Sequence, residues 1–226
     1  MRPSLLIVAI AYSLLLIGCT NTTGKLDIAG KVLDEYSKEG IPNRAVILQG
    51  MIYSDSELIP TKDIGHFYTD STGHFTYTIN KIKGAYWYNF IFVGDSTYAY
   101  STRMVSLEEL KQNSKFQSFY LDKFADLTIK IERVSKSVFT DTLFLSWKTN
   151  GYDRRMFPYK VINNGIAPDM EFRWIGGNVK SVIEAKTYAN KNTIINMSLF
   201  RNRGVKEISD TIYCIRDVKN SFTFKY

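Results

Sequence analysis

Leu127-Thr128-Ile129-Lys130-Ile131-Glu132 alternates apolar and polar side chains at every step. Successive residues of an extended strand point to opposite faces. Leu127, Ile129 and Ile131 therefore share a dry face, and Thr128, Lys130 and Glu132 share a wet one, as in antiparallel sheets. The period recurs outward in both directions. Phe75, Tyr77 and Ile79 alternate with Thr76 and Thr78, and Leu143, Leu145 and Trp147 alternate with Ser146 and Lys148. The final run carries Phe222, Phe224 and Tyr226. Short strands spaced by about 8–12 residues read as sandwiches rather than as a parallel α/β sheet. We therefore expect an all-β protein built of tandem antiparallel β-sandwiches.

One segment breaks the alternation. Ser106-Leu107-Glu108-Glu109 places a capping Ser three residues before a Glu, which predicts a helix of one or two turns. Composition agrees with a folded protein: 45% of the 226 residues are hydrophobic and 14% are aromatic, too apolar for a disordered chain. Two cysteines exclude a disulfide framework and any multi-cysteine metal site. The length suits one large β domain or two of about 100 residues each.

The beginning of the chain reads as an address. Leu5 to Ile17 is a nearly unbroken apolar run behind a single charge at Arg2. As a helix it spans ~20 Å, short of a hydrocarbon core of roughly 30 Å. Residues 1–18 are therefore assigned to a signal peptide. The run ends Leu16-Ile17-Gly18-Cys19, which resembles the lipobox of bacterial lipoproteins. The resemblance implies cleavage between Gly18 and Cys19 and acylation of Cys19, with palmitate-type chains. It makes the membrane a partner through an N-terminal lipid anchor. Two or more acyl chains hold a protein stably at a bilayer. Residues 19–25 form the lipidated tether. Thr20 stands where an Asp would mark inner-membrane retention, which favours the outer membrane of a Gram-negative envelope. No later stretch approaches 18 consecutive apolar residues, so no transmembrane span is expected.

Residues 26–123 form the first unit. Ala29-Gly30-Lys31-Val32-Leu33-Asp34 precedes Gly40-Ile41-Pro42-Asn43-Arg44-Ala45-Val46-Ile47-Leu48, and Tyr68-Thr69-Asp70-Ser71-Thr72-Gly73-His74-Phe75 follows. In that order these motifs resemble the carboxypeptidase regulatory-like domain. The resemblance implies a seven-stranded, prealbumin-like sandwich with a short helix late in the domain. One departure is the longer connection from Gln49 to Gly65. The motifs have structural reasons: Gly30 suits a close approach of strands, and Asp70 to Gly73 is turn chemistry with Gly73 at positive φ. No catalytic role follows, because this domain accompanies peptidases without being their catalytic part.

Residues 124–226 form a second β-sandwich-like unit with no family resemblance. Its expected strands are Leu127–Arg133, Thr142–Lys148, Val179–Thr187, Thr193–Phe200, Ile208–Ile215 and Ser221–Tyr226. Asn163-Asn164-Gly165 and Gly176-Gly177-Asn178 are turn signals. The charge is uneven: residues 19–123 carry 11 Lys+Arg against 12 Asp+Glu, and residues 124–226 carry 17 against 10. A basic second half suits a solvated surface, or an anionic envelope partner. Nucleic acid is not expected. Cys214 lies in a strand-like run and reads as a small core hydrophobe.

Catalytic constellations are missing from the sequence. There is no G-x-S-x-G elbow, no H-E-x-x-H and no phosphate loop. His66 and His74 are the only histidines, and a catalytic zinc wants three protein ligands. We expect no enzyme, no catalytic or metal-binding residues and no cofactor. Candidate binding residues are Trp87, within the aromatic run Tyr86 to Val93, and Arg154-Arg155 in a loop with flanking aromatics. Asp70-Ser71-Thr72, Asp95-Ser96-Thr97, Asp141-Thr142-Leu143 and Asp210-Thr211-Ile212 resemble an O-glycosylation acceptor pattern of some envelopes. The expected function is a membrane-anchored envelope lipoprotein with a non-enzymatic role in binding or envelope assembly. The alternatives are a surface glycan-binding accessory lipoprotein, marked by an exposed Trp87, and a fimbrial subunit or anchor-type protein. The latter predicts an open groove or a displaceable terminal strand over Ser221–Tyr226.

Overall fold

Alternating stretches become strands because each buries one row of side chains and keeps the other wet. A computed structural model describes residues 24–112, 116–132, 141–149, 159–163, 172–175, 179–201 and 204–226. In chain order the first unit holds β1 (Lys25–Asp34), β2 (Ala45–Ser54), β3 (Glu57–Tyr68), β4 (His74–Asn80), β5 (Trp87–Phe92), β6 (Ser101–Ser106), helix α1 (Leu107–Gln112) and β7 (Gln117–Leu121). The second holds β8 (Phe124–Glu132), β9 (Thr142–Thr149), β10 (Tyr159–Asn163), β11 (Arg173–Ile175), β12 (Lys180–Tyr188), β13 (Lys191–Arg201), β14 (Gly204–Cys214) and β15 (Lys219–Lys225). The described helix is too short to cross a membrane.

The first unit is a three-stranded sheet, β4-β1-β7, facing a four-stranded sheet, β3-β2-β5-β6. The second pairs β10-β12-β8-β15 with β11-β9-β13-β14. Setting β10 aside, the two orders are the same: β8, β9, β11, β12, β13, β14 and β15 stand where β1 to β7 stand. The chain is thus a tandem of one sandwich topology. Most pairs are antiparallel, but β1–β7 and β8–β15 are parallel. First and last strand lie side by side in each sandwich and run the same way.

The cores follow the alternation. Val32, Leu48, Tyr88, Phe90, Phe119 and Leu121 fill the first. Ile129, Ile131, Trp147, Trp174, Ile183 and Ile195 fill the second. Cys214 is fully buried among them, and burial pushes its thiol pKa up. Between the sheets of the second sandwich, Thr187 Oγ1 lies 2.7 Å from Thr149 Oγ1 and 2.6 Å from Thr193 Oγ1, all three residues buried.

Local chemistry works as its residue types require. Gly30 packs so closely that a Cβ there would sit 2.6 Å from Gln117 O and from the Phe75 ring. Gly73 has φ +83°, and Asp70 Oδ1 accepts from the N–H groups of Thr72 and His74 at 2.7 and 2.9 Å. Ser106 and Glu109 cap α1 reciprocally: Glu109 N–H donates to Ser106 Oγ at 3.1 Å, and Ser106 N–H donates to Glu109 Oε2 at 2.9 Å. The long connection from Gln49 to Gly65 is itself a hairpin. It extends β2 and β3 to a two-residue turn at Asp55-Ser56, where both residues have positive φ. Such turns match the right-handed strand twist.

Candidate functional site

Two features stand out: the joint between the sandwiches and a cleft beside it. At the joint, Asp34 ends β1 with its carboxylate almost wholly buried. It accepts from Tyr36 N–H at 2.9 Å, Ser37 N–H at 2.8 Å, Tyr98 OH at 3.1 Å and Arg216 Nη1 at 2.7 Å. Burial pushes its pKa up, but the Ser37 and Tyr36 N–H groups, Arg216 and Tyr98 outweigh that and hold the carboxyl below its ordinary value. Tyr98 is pushed up to about 12 by burial and by the Asp34 charge. Around this pair, Lys123 Nζ meets Asp217 at 2.7 Å and Lys191 Nζ meets Asp122 at 2.7 Å. Main-chain bonds add to them: Ala189 N–H donates to Lys123 O at 2.9 Å. A cleft of about 200 Å³ lies among these residues. These ion pairs and main-chain bonds tie residues of the first unit to residues of the second.

The second feature lies between β6 and β7. Next to the joint, the segments before β6 and after β7 are zipped together. Phe124 N–H donates to Thr97 O at 2.7 Å, Ala99 N–H donates to Asp122 O at 2.9 Å, and Tyr98 and Lys123 form an antiparallel bridge. Beyond that point β6 stays with β5 in one sheet and β7 stays with β1 in the other. They splay apart over a cleft of about 330 Å³, walled by residues 101–103 and 118–120 above the Phe92 and Phe119 rings.

The residues singled out from sequence scatter. Trp87 sits half-buried on the outer face of β5, paired with Met51 and Ser106 on the neighbouring strands. It is not presented as a free ring. Gly18, Cys19, Arg154 and Arg155 lie outside the described residues, as do Asn164-Gly165 and the Gly176-Gly177-Asn178 turn. His66 Nε2 lies 3.1 Å from Asp63, and His74 Nδ1 lies 2.7 Å from Thr72 Oγ1. Among the described residues no three metal-ligating side chains come together. The Asp-Ser/Thr motifs have structural work. Asp70 and Asp95 cap turns, Asp95 also pairs with Arg44 at 2.8 Å, and buried Asp141 pairs with Arg201 at 2.7 Å. The terminal strand β15 is pinned at its start. Asn220 Nδ2 donates to the carbonyls of Asp126, Ile215 and Val218, while its Oδ1 accepts from Ile215 N–H.

Sequence reading missed both features. Asp34 and Arg216 stand 182 positions apart, so no local pattern links them. Arg103 looks like an ordinary outward residue until the register sets it opposite Phe90, on the inner face.

No protein-family model matches the chain, and no curated protein matches it. Among solved structures it is similar to several bacterial pilins. The shaft pilin SpaA of Lactobacillus rhamnosus GG is 7% identical at a TM-score of 0.32, over 89% of this chain and 98% of that one. The major pilin SpaD of Corynebacterium diphtheriae is 8% identical at 0.37, over 85% and 65%. A streptococcal ancillary pilin is 11% identical at 0.41, over 91% and 63%. The architecture of this chain rests on its own strand pairing.

Proposed function

We propose that the chain is a lipid-anchored envelope protein that acts without catalysis, holding a binding surface at a fixed orientation above the membrane. The observation that supports this best is the joint. Two sandwiches of one topology are locked by the buried Asp34–Arg216 pair, by flanking ion pairs and by main-chain hydrogen bonds. Behind a Cys19 lipid anchor and a short tether, such a pair forms a stiff spacer. Interfaces of this kind determine whether tandem domains move independently.

The test is made on cells. Wild-type protein takes up labelled palmitate and stays with the membrane fraction, whereas Cys19→Ala takes up none and leaves that fraction. If Cys19→Ala is labelled and fractionates as the wild type does, the anchoring half of the proposal fails. Protease treatment of intact cells then separates surface display, where the protein is cut, from a periplasmic location, where it is cut only after the outer membrane is breached.

A fimbrial role is a second reading, supported by the open cleft between β6 and β7. The pinning of β15 by Asn220 argues against its terminal strand being the displaceable element. Trp87, the platform the glycan reading calls for, is half-buried.

A further inference from the structure

We propose that the cleft between β6 and β7 is a docking site for an extended polypeptide segment of another protein, one that carries an acidic side chain to meet Arg103. This deepens the proposed function and rests on its non-enzymatic binding role.

The walls decide the class of partner. Among the described residues, β6 pairs only with β5 and β7 pairs only with β1. Their other edges face each other across the cleft, and each offers a regular row of main-chain N–H and C=O groups. Such edges accept an added strand, whose main chain supplies affinity while pockets for alternate side chains supply specificity. The bridge at Tyr98 and Lys123 closes one end of the slot, and α1 follows β6 at the other. At ~3.3 Å per residue, walls of five and six residues take about five residues of extended chain.

The floor and the rim set the sequence it takes. Ser101, Arg103 and Val105 occupy the inner-face side of β6, opposite Phe92, Phe90 and Tyr88. Val105 is buried, as that side of a sandwich requires, but Arg103 is exposed. Among the described residues it forms no ion pair. Glu109 shares its neighbourhood, but the Glu109 carboxylate is engaged by Ser106 N–H. An exposed guanidinium lining the slot matches a carboxylate, which it binds through paired N–H donors. Inward positions of the guest chain lie against Phe92 and Phe119, whose centroids are 5.0 Å apart, and so take small or apolar side chains.

The experiment uses the purified full chain in detergent, so its outcome does not depend on where the protein is anchored. Random heptapeptides displayed on phage are panned against it, and the enriched sequences are synthesised. We expect alternating sequences with an Asp or Glu at one fixed position. They shift the amide signals of residues 101–103 and 118–120. Arg103→Glu weakens them at least tenfold and transfers the preference to peptides with Lys at that position. Ser101→Trp, which fills the slot, has the same weakening effect. Arg103 is exposed, so its reversal leaves the melting temperature unchanged and remains decisive if Ser101→Trp fails to fold. Absence of enrichment, equal binding to wild type and Arg103→Glu, or a uronic-acid oligosaccharide shifting these amides where no peptide does, overturns the proposal.

Discussion

The two sandwiches share an order of strands and differ in how the sixth is joined to the seventh. In the first, β6 reaches β7 through α1, and the two strands splay into a cleft. In the second, β14 reaches β15 through Ile215 to Val218, a turn tied by Asn220. That turn carries Arg216 and Asp217, which grip Asp34 and Lys123 of the first sandwich. The same connection thus makes an opening in one unit and a lock in the other. A fold constrains its ladders and leaves its connections to function.

The comparison breaks most sharply at the cores. Trp174 is fully buried in the second sandwich. Trp174→Ala should cost about 3–5 kcal/mol, read as a lowered urea midpoint. If Trp signals of the second unit and Tyr signals of the first fall together, the joint couples the units. Separate transitions mean that the lock orients without coupling.

The joint comes next. Arg216→Ala leaves the buried Asp34 carboxylate without its cation and should cost about 1–3 kcal/mol. It should also broaden the interdomain geometry seen by small-angle scattering. The pH dependence has a definite sign. Asp34 has a lower pKa folded than unfolded, so its contribution is complete above its ordinary value of 3.8 and is lost as pH falls through the folded value. Asp34→Asn should therefore flatten the acid limb of stability below about pH 4 and leave its shape at neutral pH unchanged.

Much of this was readable in advance where the cause is local. Asp70 to Gly73 announced its turn, Ser106 and Glu109 announced their helix, and period-two runs announced β8, β9, β12, β13, β14 and β15 to within a few residues. What was hidden depends on distant pairing. The motifs that mark the first unit do not recur in the second, so the repeated topology appears only when strand partners are known. Short β10 and β11 give too few residues for a period. Asp55-Ser56 makes a tight hairpin without the Asn-Gly signal that usually marks one. Arg103 needed the register before it became a feature at all.

Smaller changes sharpen the contrast. Thr187→Val removes the central hydroxyl of the Thr149–Thr187–Thr193 cluster, which has no counterpart among the buried polar residues of the first sandwich. It should cost about 1 kcal/mol, seen as a small drop in melting temperature with unchanged native circular dichroism. Ser106→Ala removes one half of the α1 cap and should cost about 1 kcal/mol or less. Amide exchange should quicken over Leu107–Gln112 alone, because the cap serves the helix beside the cleft and not the ladders.

The parallel pairing of first and last strands has a mechanical consequence. In each sandwich the chain enters along one strand and leaves along a neighbour running the same way, so the entry and exit points lie at opposite ends. Tension applied along the chain, between the start of its first strand and the end of its last, then pulls the paired strands past each other. All rungs of the ladder share that shear, whereas a hairpin loaded at its open end yields one rung at a time. Gly30–Asp34 against Gln117–Leu121 gives five paired positions, and Lys219–Lys225 against Asp126–Glu132 gives seven. Under rising force the first sandwich, with the shorter parallel ladder, is the one that should yield first, sparing the second.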